Sequence, residues 1–343
     1  MKLVVAGYYG CGNLGDDALL LGLLNGLDGK HEVTSLSGDP AATESAFGIR
    51  AVPRKDLKQV TAAIKAADAL VFGGGGLLQD TTSLLSLKYY THLIETASRA
   101  GKAVALLGQG IGPIKTVFGK RAAARAFRQC DVITTRDEGS MRIVDRLAPQ
   151  AKAHKAVTDD LAWLAIEGTA TGVRRHAIAI SARPWKNLDG QVVSAFKGFV
   201  QRAELEGWEI VPVSFDRGMD DRVLDQIAPG TAYPTSPQEA LGVLATVEAT
   251  VAMRLHAGIF SVGLGIVPTM VSYDAKVTAF AESYGGKPLP VESLTQDALW
   301  AAFQDSLDNG ARLALAVRER AEVGAKKARI NVRLLEESLS RRT

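Results

Sequence analysis

The residues best suited to chemistry lie in the segment Val251-Ala-Met-Arg254-Leu-His256. If the strand predicted there continues through His256, the side chains of Arg254 and His256 point the same way. Arginine supplies a permanent positive charge, and histidine titrates near neutral pH. The pair therefore indicates acid–base chemistry on an anionic substrate. A single histidine is more often structural, and that alternative stays open.

Three further cations also come just after short apolar runs: Arg136, Arg183 and Lys276. An arginine at the end of a parallel strand can hold a carboxylate or a phosphate with two hydrogen bonds. For Arg136, a salt bridge with Asp137 or Glu138 explains the sequence equally well.

Three glycine-rich turns follow predicted strands, and glycine lets backbone N–H groups approach a ligand closely. We expect these turns to line a cleft, with contacts to substrate from Asn13, Gly74, Gly75, Gln79 and Gln109.

The first of these turns contains Gly10-Cys-Gly-Asn-Leu-Gly15, which matches the dinucleotide pattern G-x-G-x-x-G. Asp16 and Asp17 follow it at the predicted helix entrance, where their charges would repel a pyrophosphate. We therefore expect no nicotinamide cofactor. Either carboxylate could cap the helix or accept hydrogen bonds from sugar hydroxyls, and the sequence does not distinguish the two residues.

No metal site is expected, because zinc-binding patterns such as H-E-x-x-H do not occur in the sequence. The acid pairs Asp159-Asp160 and Asp220-Asp221 consist of adjacent residues, whose side chains diverge. We expect these acids to be solvated or to cap helices. The sequence also has no G-x-S-x-G segment, which argues against serine hydrolysis.

The elements that must position these residues alternate between apolar strands and amphipathic helices, which predicts parallel, doubly wound sheets. The pattern restarts near residue 170, and we expect two α/β domains at 1–170 and 171–290, followed by a helical region at 291–343 that packs back on the first domain. The predicted strands are Lys2–Ala6, Glu32–Leu36, Ala69–Phe72, Ala103–Gly108, Val132–Thr135, Ala177–Ile180, Glu209–Val213, Thr250–Met253 and Val267–Val271.

The composition is that of a globular protein, with 47% hydrophobic and 22% charged residues and a net charge of +3. This balance gives no reason to expect nucleic-acid binding. Two cysteines are too few for a disulfide framework, and the chain shows neither a signal peptide nor a membrane span. We expect a cytoplasmic protein.

Taken together, seven of these segments resemble the polysaccharide pyruvyl transferases, and they occur in the order of that family between residue 1 and about residue 285. They begin at Gly7, Phe72, Gly108, Arg136, Ile180, Met253 and Ser272. The resemblance implies a GT-B-like fold of two Rossmann-type domains that face each other across a cleft, with the acceptor on the first and the donor on the second.

The family's activity implies that phosphoenolpyruvate, a co-substrate and not a resident cofactor, donates pyruvate to a glycan. The product would be a 4,6-linked ketal on a hexose, commonly lipid-linked N-acetylmannosamine. Under this resemblance Arg136, Arg254, Lys276 and Arg183 bind the donor, His256 is the general acid, and Asp16 or Asp17 orients or deprotonates a hydroxyl. Lys276 stands where some members carry arginine. The single ammonium charge of lysine would there replace a planar guanidinium that can form two hydrogen bonds to one anion.

Two other function classes stay open at this stage. A nucleotide-sugar glycosyltransferase could use the same cleft and cations, and a sugar- or nucleotide-binding module would bind without turnover. The basic tail with Arg341 and Arg342 either contacts anionic lipid at the inner face of a membrane or forms a solvated helix face.

Overall fold

The structure is a computed structural model that describes residues 1–81, 83–230 and 232–342, so Thr82, Thr231 and Thr343 lie outside it. The chain forms two compact units. The first unit contains Met1–Cys11, Asp16–Ala165 and Gly324–Thr343, and the second contains Gly12–Gly15 and Ile166–Val323. Each unit therefore combines stretches that are distant in the sequence.

The first unit is built on a seven-stranded parallel sheet with the strand order β3-β2-β1-β4-β5-β6-β7. Its strands are β1 (Lys2–Ala6), β2 (Glu32–Ser37), β3 (Arg50–Pro53), β4 (Ala69–Gly75), β5 (Ala103–Gln109), β6 (Val132–Thr135) and β7 (His154–Val157). The helices between and after them are α1 (Leu14–Leu27), α2 (Pro40–Phe47), α3 (Leu57–Ala66), α4 (Leu84–Arg99), α5 (Val117–Phe127), α6 (Glu138–Leu147) and α7 (Ala162–Ala165).

The second unit is built on a five-stranded parallel sheet with the order β12-β11-β10-β8-β9. Its strands are β8 (Arg175–Ser181), β9 (Glu209–Pro212), β10 (Val247–Ala252), β11 (Pro268–Ser272) and β12 (Leu289–Pro290). The helices are α8 (Asp189–Leu205), α9 (Asp221–Ile227), α10 (Pro237–Leu244), α11 (Leu255–Gly263), α12 (Ala275–Glu282), a 3₁₀ turn (Val291–Ser293), α13 (Gln296–Asp308) and α14 (Gly310–Ser340), whose last part belongs to the first unit.

The central strands are apolar because helices bury them on both faces. In the first unit, one face of the sheet packs on α3 to α6 through a core that includes Phe72, Tyr90 and Phe127. In the second unit, Phe199 and Trp300 belong to the core against the sheet. The predicted fold class, two Rossmann-like parallel-sheet domains, is confirmed.

Each sheet reverses its strand order at one place, between β1 and β4 in the first unit and between β8 and β10 in the second. Ligands of open α/β sheets bind outside the carboxyl ends of the strands at such reversals. The glycine-rich segments after β1 and β4, and the Arg183 and Arg254 segments after β8 and β10, lie at these two places.

All nine predicted strands are present, but β3, β7 and β12 and several short helices were not predicted. Strand β7 is at the edge of its sheet and is mostly half-exposed, so it lacks the apolar run that marks a central strand. None of the helices in the described part of the chain is both long and apolar enough to cross a membrane.

Candidate active site

In the first unit, the turn after β1 is tied to the neighbouring strand and to the start of α1. The buried Tyr9 hydroxyl donates a hydrogen bond to the carbonyl of Gly73 at 3.1 Å. Gly10 has a φ of +61°, a conformation that favours glycine, and its N–H donates to the Asp17 carboxylate at 2.8 Å. The turn therefore has a single, well-held backbone path.

The adjacent carboxylates Asp16 and Asp17 differ in their surroundings. Asp17 is 8% exposed, and burial raises its pKa to about 6, although the hydrogen bond from Gly10 opposes the rise. Asp16 is half-buried, and its Oδ1 lies 3.3 Å from the position that a Cβ on Gly75 would take. Asp17 therefore holds the turn, and Asp16 is the carboxylate next to the glycine run. Their predicted catalytic roles stay predictions.

The glycine run at the end of β4 has a backbone conformation that residues with a side chain rarely adopt. Gly74 and Gly75 have φ values of +91° and +92°. The side-chain oxygen of Gln79 accepts hydrogen bonds from the N–H and hydroxyl of Thr81 at 2.8 and 2.7 Å. Gln109 is fully buried at the end of β5 and donates to two backbone carbonyls. Both glutamines thus support the turns, and their contact with substrate stays a prediction.

Arg136 follows β6 as predicted, but its acidic partner is neither Asp137 nor Glu138. Its Nη1 lies 3.1 Å from Asp160, which is 2% exposed, and Asp137 instead caps α6. Asp160 is therefore not solvated, but the alternative that it caps a helix is confirmed, since it accepts the N–H of Ala162 at 3.0 Å at the start of α7. The guanidinium lies over Gly110, where a Cβ would come within 2.8 Å of Nη2. A side chain at position 110 would therefore displace the guanidinium of Arg136.

In the second unit, residues 12–15 pair with the segment after β9. Asn13 and Asp216 form an antiparallel bridge between two backbone hydrogen bonds of 2.8 Å. The Asn13 side chain accepts the N–H of Gly15 at 2.9 Å and so stabilises the start of α1. The His256 ring lies directly against Gly15, where a Cβ would come within 2.1 Å of Nδ1. Gly15 thus provides the space that the imidazole occupies. The predicted contact of Asn13 with substrate stays a prediction.

The strand does not continue through His256, so the condition under which Arg254 and His256 would point the same way is not met. Strand β10 ends at Ala252, and α11 begins at Leu255. The chain turns into a helix there because doing so buries the apolar residues of α11. Arg254 therefore precedes the helix and His256 lies in its first turn.

Arg254 is 9% exposed, and its guanidinium is bound by two aspartates. Its Nε and Nη2 donate to the two carboxylate oxygens of Asp220 at 2.8 and 2.5 Å, and Nη2 also donates to Asp216 at 2.9 Å. Asp220 is fully buried and therefore not solvated; it occupies the N-cap position of α9, but its side chain makes no capping hydrogen bond. Since a buried carboxylate needs a cationic partner, Arg254 helps to stabilise the fold.

Arg183, directly after β8, has aromatic neighbours. Its Nη1 donates to the Tyr273 hydroxyl at 3.2 Å, and its guanidinium carbon lies 4.7 Å from the Tyr273 ring centroid and 5.6 Å from that of Trp185. Among the described residues, no carboxylate forms an ion pair with it. The charge of Arg183 is therefore not neutralised by an ion pair with any of these carboxylates.

Lys276 lies in the first turn of α12, and its ammonium is 3.4 Å from Asp274. The Lys276 side chain is 46% exposed, so this pair is weak, and Asp274 also caps the helix. Helix α11 nearby in the fold has no side-chain cap at its own N-terminus. Arg183, Lys276 and these backbone N–H groups make the carboxyl edge of the second sheet suited to an anion.

The sequence did not identify the carboxylates that neutralise two of the four predicted cations. Asp160, Asp216 and Asp220 lie 24 to 38 positions from their arginine partners. No local spacing rule connects residues so far apart. The four predicted cations thus separate into two arginines that form ion pairs with buried acids and two cations for which the described residues show no such ion pair.

Comparison with solved structures identifies the class of fold. The chain is 11% identical to a Listeria monocytogenes protein assigned as a UDP-N-acetylglucosamine 2-epimerase, with a TM-score of 0.69 over 100% of this chain and 97% of that one. The Neisseria meningitidis UDP-GlcNAc 2-epimerase bound to UDP-GlcNAc is 11% identical, with a TM-score of 0.63 over 98% of this chain and 100% of that one. The spinosyn rhamnosyltransferase SpnG is 13% identical, with a TM-score of 0.57 over 98% of this chain and 100% of that one. The fold is therefore GT-B-like, the class in which these epimerases and glycosyltransferases occur.

The family follows from the sequence itself. The model of the family described as polysaccharide pyruvyl transferase matches residues 13–275, which is most of the chain. The protein belongs to the polysaccharide pyruvyl transferase family, and the resemblance seen in the sequence is confirmed. It is thus a pyruvyl transferase of a family that modifies polysaccharides.

Proposed function

We propose that the enzyme transfers pyruvate from phosphoenolpyruvate to a sugar, forms a 4,6-linked ketal and releases phosphate. The observation that carries the proposal is Arg183, a partly buried arginine at the strand-order reversal of the second sheet that forms no ion pair with a carboxylate in the described part of the chain. Phosphoenolpyruvate carries both a phosphate and a carboxylate, and such a cation binds either group with two hydrogen bonds.

The donor site that we propose includes Arg183, Lys276 and the N-terminus of α11. Arg254 also belongs to the proposed donor site. Because Asp216 and Asp220 already balance its charge, we assign it a smaller share of donor binding than Arg183. Arg136 binds Asp160 through one nitrogen and retains other N–H groups for an anionic group of the substrate. All four cations of the sequence prediction remain in the proposal, with Arg183 given the largest share of donor binding.

His256 is the proposed general acid. Protonation of C3 of phosphoenolpyruvate makes C2 electrophilic. The position of the His256 ring against Gly15 fixes the imidazole for that step. Two sugar hydroxyls then attack C2 while the bond from C2 to the phosphate oxygen breaks. Of the two hydroxyl protons, one replaces the proton lost by His256 and the other leaves with phosphate. Asp16 is the proposed group that accepts a hydroxyl hydrogen bond in the first unit.

The test is an incubation with phosphoenolpyruvate and a β-N-acetylmannosaminide. We expect the acceptor to gain the mass of one pyruvate minus one water, with one phosphate released per product. His256→Ala should lose turnover while the exposed-residue control His92→Ala retains it. Near wild-type turnover in His256→Ala would remove that residue from the mechanism.

The same incubation with nucleotide sugars examines the alternative glycosyltransferase function. That alternative is favoured by one observation, the fold shared with a structure that holds UDP-GlcNAc. Release of a nucleoside diphosphate, with no phosphate from phosphoenolpyruvate, would establish it and contradict pyruvyl transfer.

A lipid-linked acceptor and contact with a membrane surface are part of the proposal. In the basic tail, Arg342 is paired with Asp131 at 2.6 Å and donates to the carbonyl of Gly101. One of the two tail arginines is therefore bound within the first unit, and Arg341 is the residue with more freedom to contact anionic lipid.

A further inference from the structure

The first unit also contains a half-buried cation, Arg54, directly after β3. Its Nη2 donates to the Tyr90 hydroxyl at 2.9 Å and its Nη1 to the sulfur of Cys11 at 3.2 Å. The guanidinium carbon lies 5.0, 5.4 and 5.8 Å from the ring centroids of Tyr8, Tyr89 and Tyr90. Among the described residues no carboxylate pairs with it. A half-buried charge without a counter-ion is costly, and an anionic ligand would offset that cost.

Arg54 lies near the proposed acceptor group. Cys11 belongs to the turn after β1, at the strand-order reversal of the first sheet. Burial raises the pKa of Tyr90 well above its usual range, the Arg54 charge opposes the rise, and the charge of Asp16 adds to it. The Tyr90 phenol is therefore within electrostatic reach of both Arg54 and Asp16.

The chemistry of this cluster suits a sugar that carries a phosphate. The planar guanidinium of arginine matches a phosphate with two hydrogen bonds. Tyr8 is 44% exposed, and a partly exposed aromatic ring offers an apolar face with a polar edge, which suits a sugar ring. Asp16 is suited to the sugar hydroxyls, as a carboxylate accepts hydrogen bonds only.

We infer that Arg54 binds a phosphate group attached to the acceptor sugar, with Tyr8 against the sugar ring. This inference rests on the proposed function, in which Asp16 receives the hydroxyls of that sugar. Arg54 thereby selects phosphate-linked acceptors, the form in which a lipid carrier presents a glycan, over neutral glycosides.

The experiment compares three acceptors at saturating phosphoenolpyruvate: the methyl glycoside of N-acetylmannosamine, its carboxymethyl glycoside and its 1-phosphate. In the wild type we expect the KM of the 1-phosphate to be roughly 10- to 100-fold below that of the methyl glycoside, as for one hydrogen-bonded charge pair. Arg54→Gln should abolish this difference by raising the KM of the 1-phosphate far more than that of the methyl glycoside, while Arg54→Lys should restore part of it.

The matched control is Arg50→Gln, which removes the same charge from an exposed position at the other end of β3. It should retain the preference for the 1-phosphate. Equal KM values for the methyl glycoside and the 1-phosphate in the wild type would overturn the inference. So would an Arg54→Gln variant in which both KM values rise equally, as expected for a merely structural arginine.

The carboxymethyl glycoside separates phosphate recognition from a general preference for anions. If it gains as much as the 1-phosphate, the assignment to phosphate is wrong. Absence of ketal from every acceptor would contradict the proposed function itself. Ketal formation on the methyl glycoside without any preference would contradict only the role of Arg54.

Discussion

Arg183 and Arg254 both follow strands of the second sheet, yet they differ in their partners. The charge of Arg254 is balanced by buried carboxylates, whereas Arg183 contacts aromatic rings and a phenol. The energetic consequence of losing each side chain should therefore differ in kind. Loss of the Arg183 side chain should weaken substrate binding, and loss of the Arg254 side chain should weaken the fold.

Arg183→Ala should raise the KM for phosphoenolpyruvate by roughly 10- to 100-fold, since it removes one charge-assisted interaction. Its free energy of unfolding should change little. Arg254→Ala should lower the free energy of unfolding by about 3–5 kcal/mol, because it leaves the Asp220 carboxylate buried without its cation. Initial rates and urea unfolding of both variants check this. A normal KM in Arg183→Ala, or wild-type stability in Arg254→Ala, would contradict the assignment.

Asp17 predicts a pH dependence of stability. Burial raises its pKa in the folded protein to about 6, above the value of about 4 for an exposed aspartate, so the folded state binds the proton more tightly. The contribution of Asp17 to stability is thus largest below about pH 4, and it decreases as the pH rises to about 6.

Asp17→Asn stays neutral and retains an oxygen for the Gly10 N–H. We expect it to equal the wild type near pH 4 and to be more stable near pH 7, by up to about 3 kcal/mol for two pKa units. Urea unfolding of both proteins between pH 4 and pH 7 measures the difference. Parallel profiles would show that the pKa of Asp17 is not raised.

At the scale of elements, the start of α1 provides the space for His256. A methyl group at position 15 would overlap the imidazole, since the Cβ would come within 2.1 Å of Nδ1. We expect Gly15→Ala to lower kcat by roughly 100-fold, the size of effect that a displacement of about 1 Å can have on a reacting group. Steady-state rates together with circular dichroism check this prediction.

The matched control is Gly242→Ala, a helical glycine of the same unit with nothing within 4 Å of the added Cβ. It should retain wild-type kcat. If Gly15→Ala also turns over at the wild-type rate, the position of the His256 ring does not matter for catalysis.

The elements that the sequence predicted are those whose signal is local. Apolar runs marked the central strands, and Lys2–Ala6 and Val132–Thr135 have the same bounds in the structure. The element that the sequence left open is the continuation of β10 through His256, which the structure does not show, since β10 ends at Ala252 and α11 begins at Leu255. Only burial of the α11 side chains decides for the helix.

At the scale of the whole molecule, the last helix completes the first unit. Asn331 on α14 is fully buried, its oxygen accepts the hydroxyls of Thr134 and Thr158, and its nitrogen donates to the Asp159 carbonyl at 3.1 Å. The C-terminal residues thereby support the ends of β6 and β7. Arg136 and Asp160 follow closely after these two strands in the sequence.

Asn331→Leu should lower the free energy of unfolding by about 3 kcal/mol or more, because several buried polar groups lose their partner at about 1–3 kcal/mol each. Lys327→Ala, an exposed change on the same helix, should cost little. Urea unfolding compares the two variants. Equal stabilities would show that the Asn331 hydrogen bonds do not hold the helix in place.

By itself the sequence determined the parallel α/β class, the family, the glycine-rich turns and the cations at strand ends. These follow from local patterns, since hydrophobic periodicity and turn chemistry depend on neighbouring residues. The tertiary structure decided which cations are neutralised, which of Asp16 and Asp17 holds the turn, and how Gly15 makes room for His256. Such properties depend on partners far away in the chain, since the energies of charges and polar groups depend on burial and on what lies beside them.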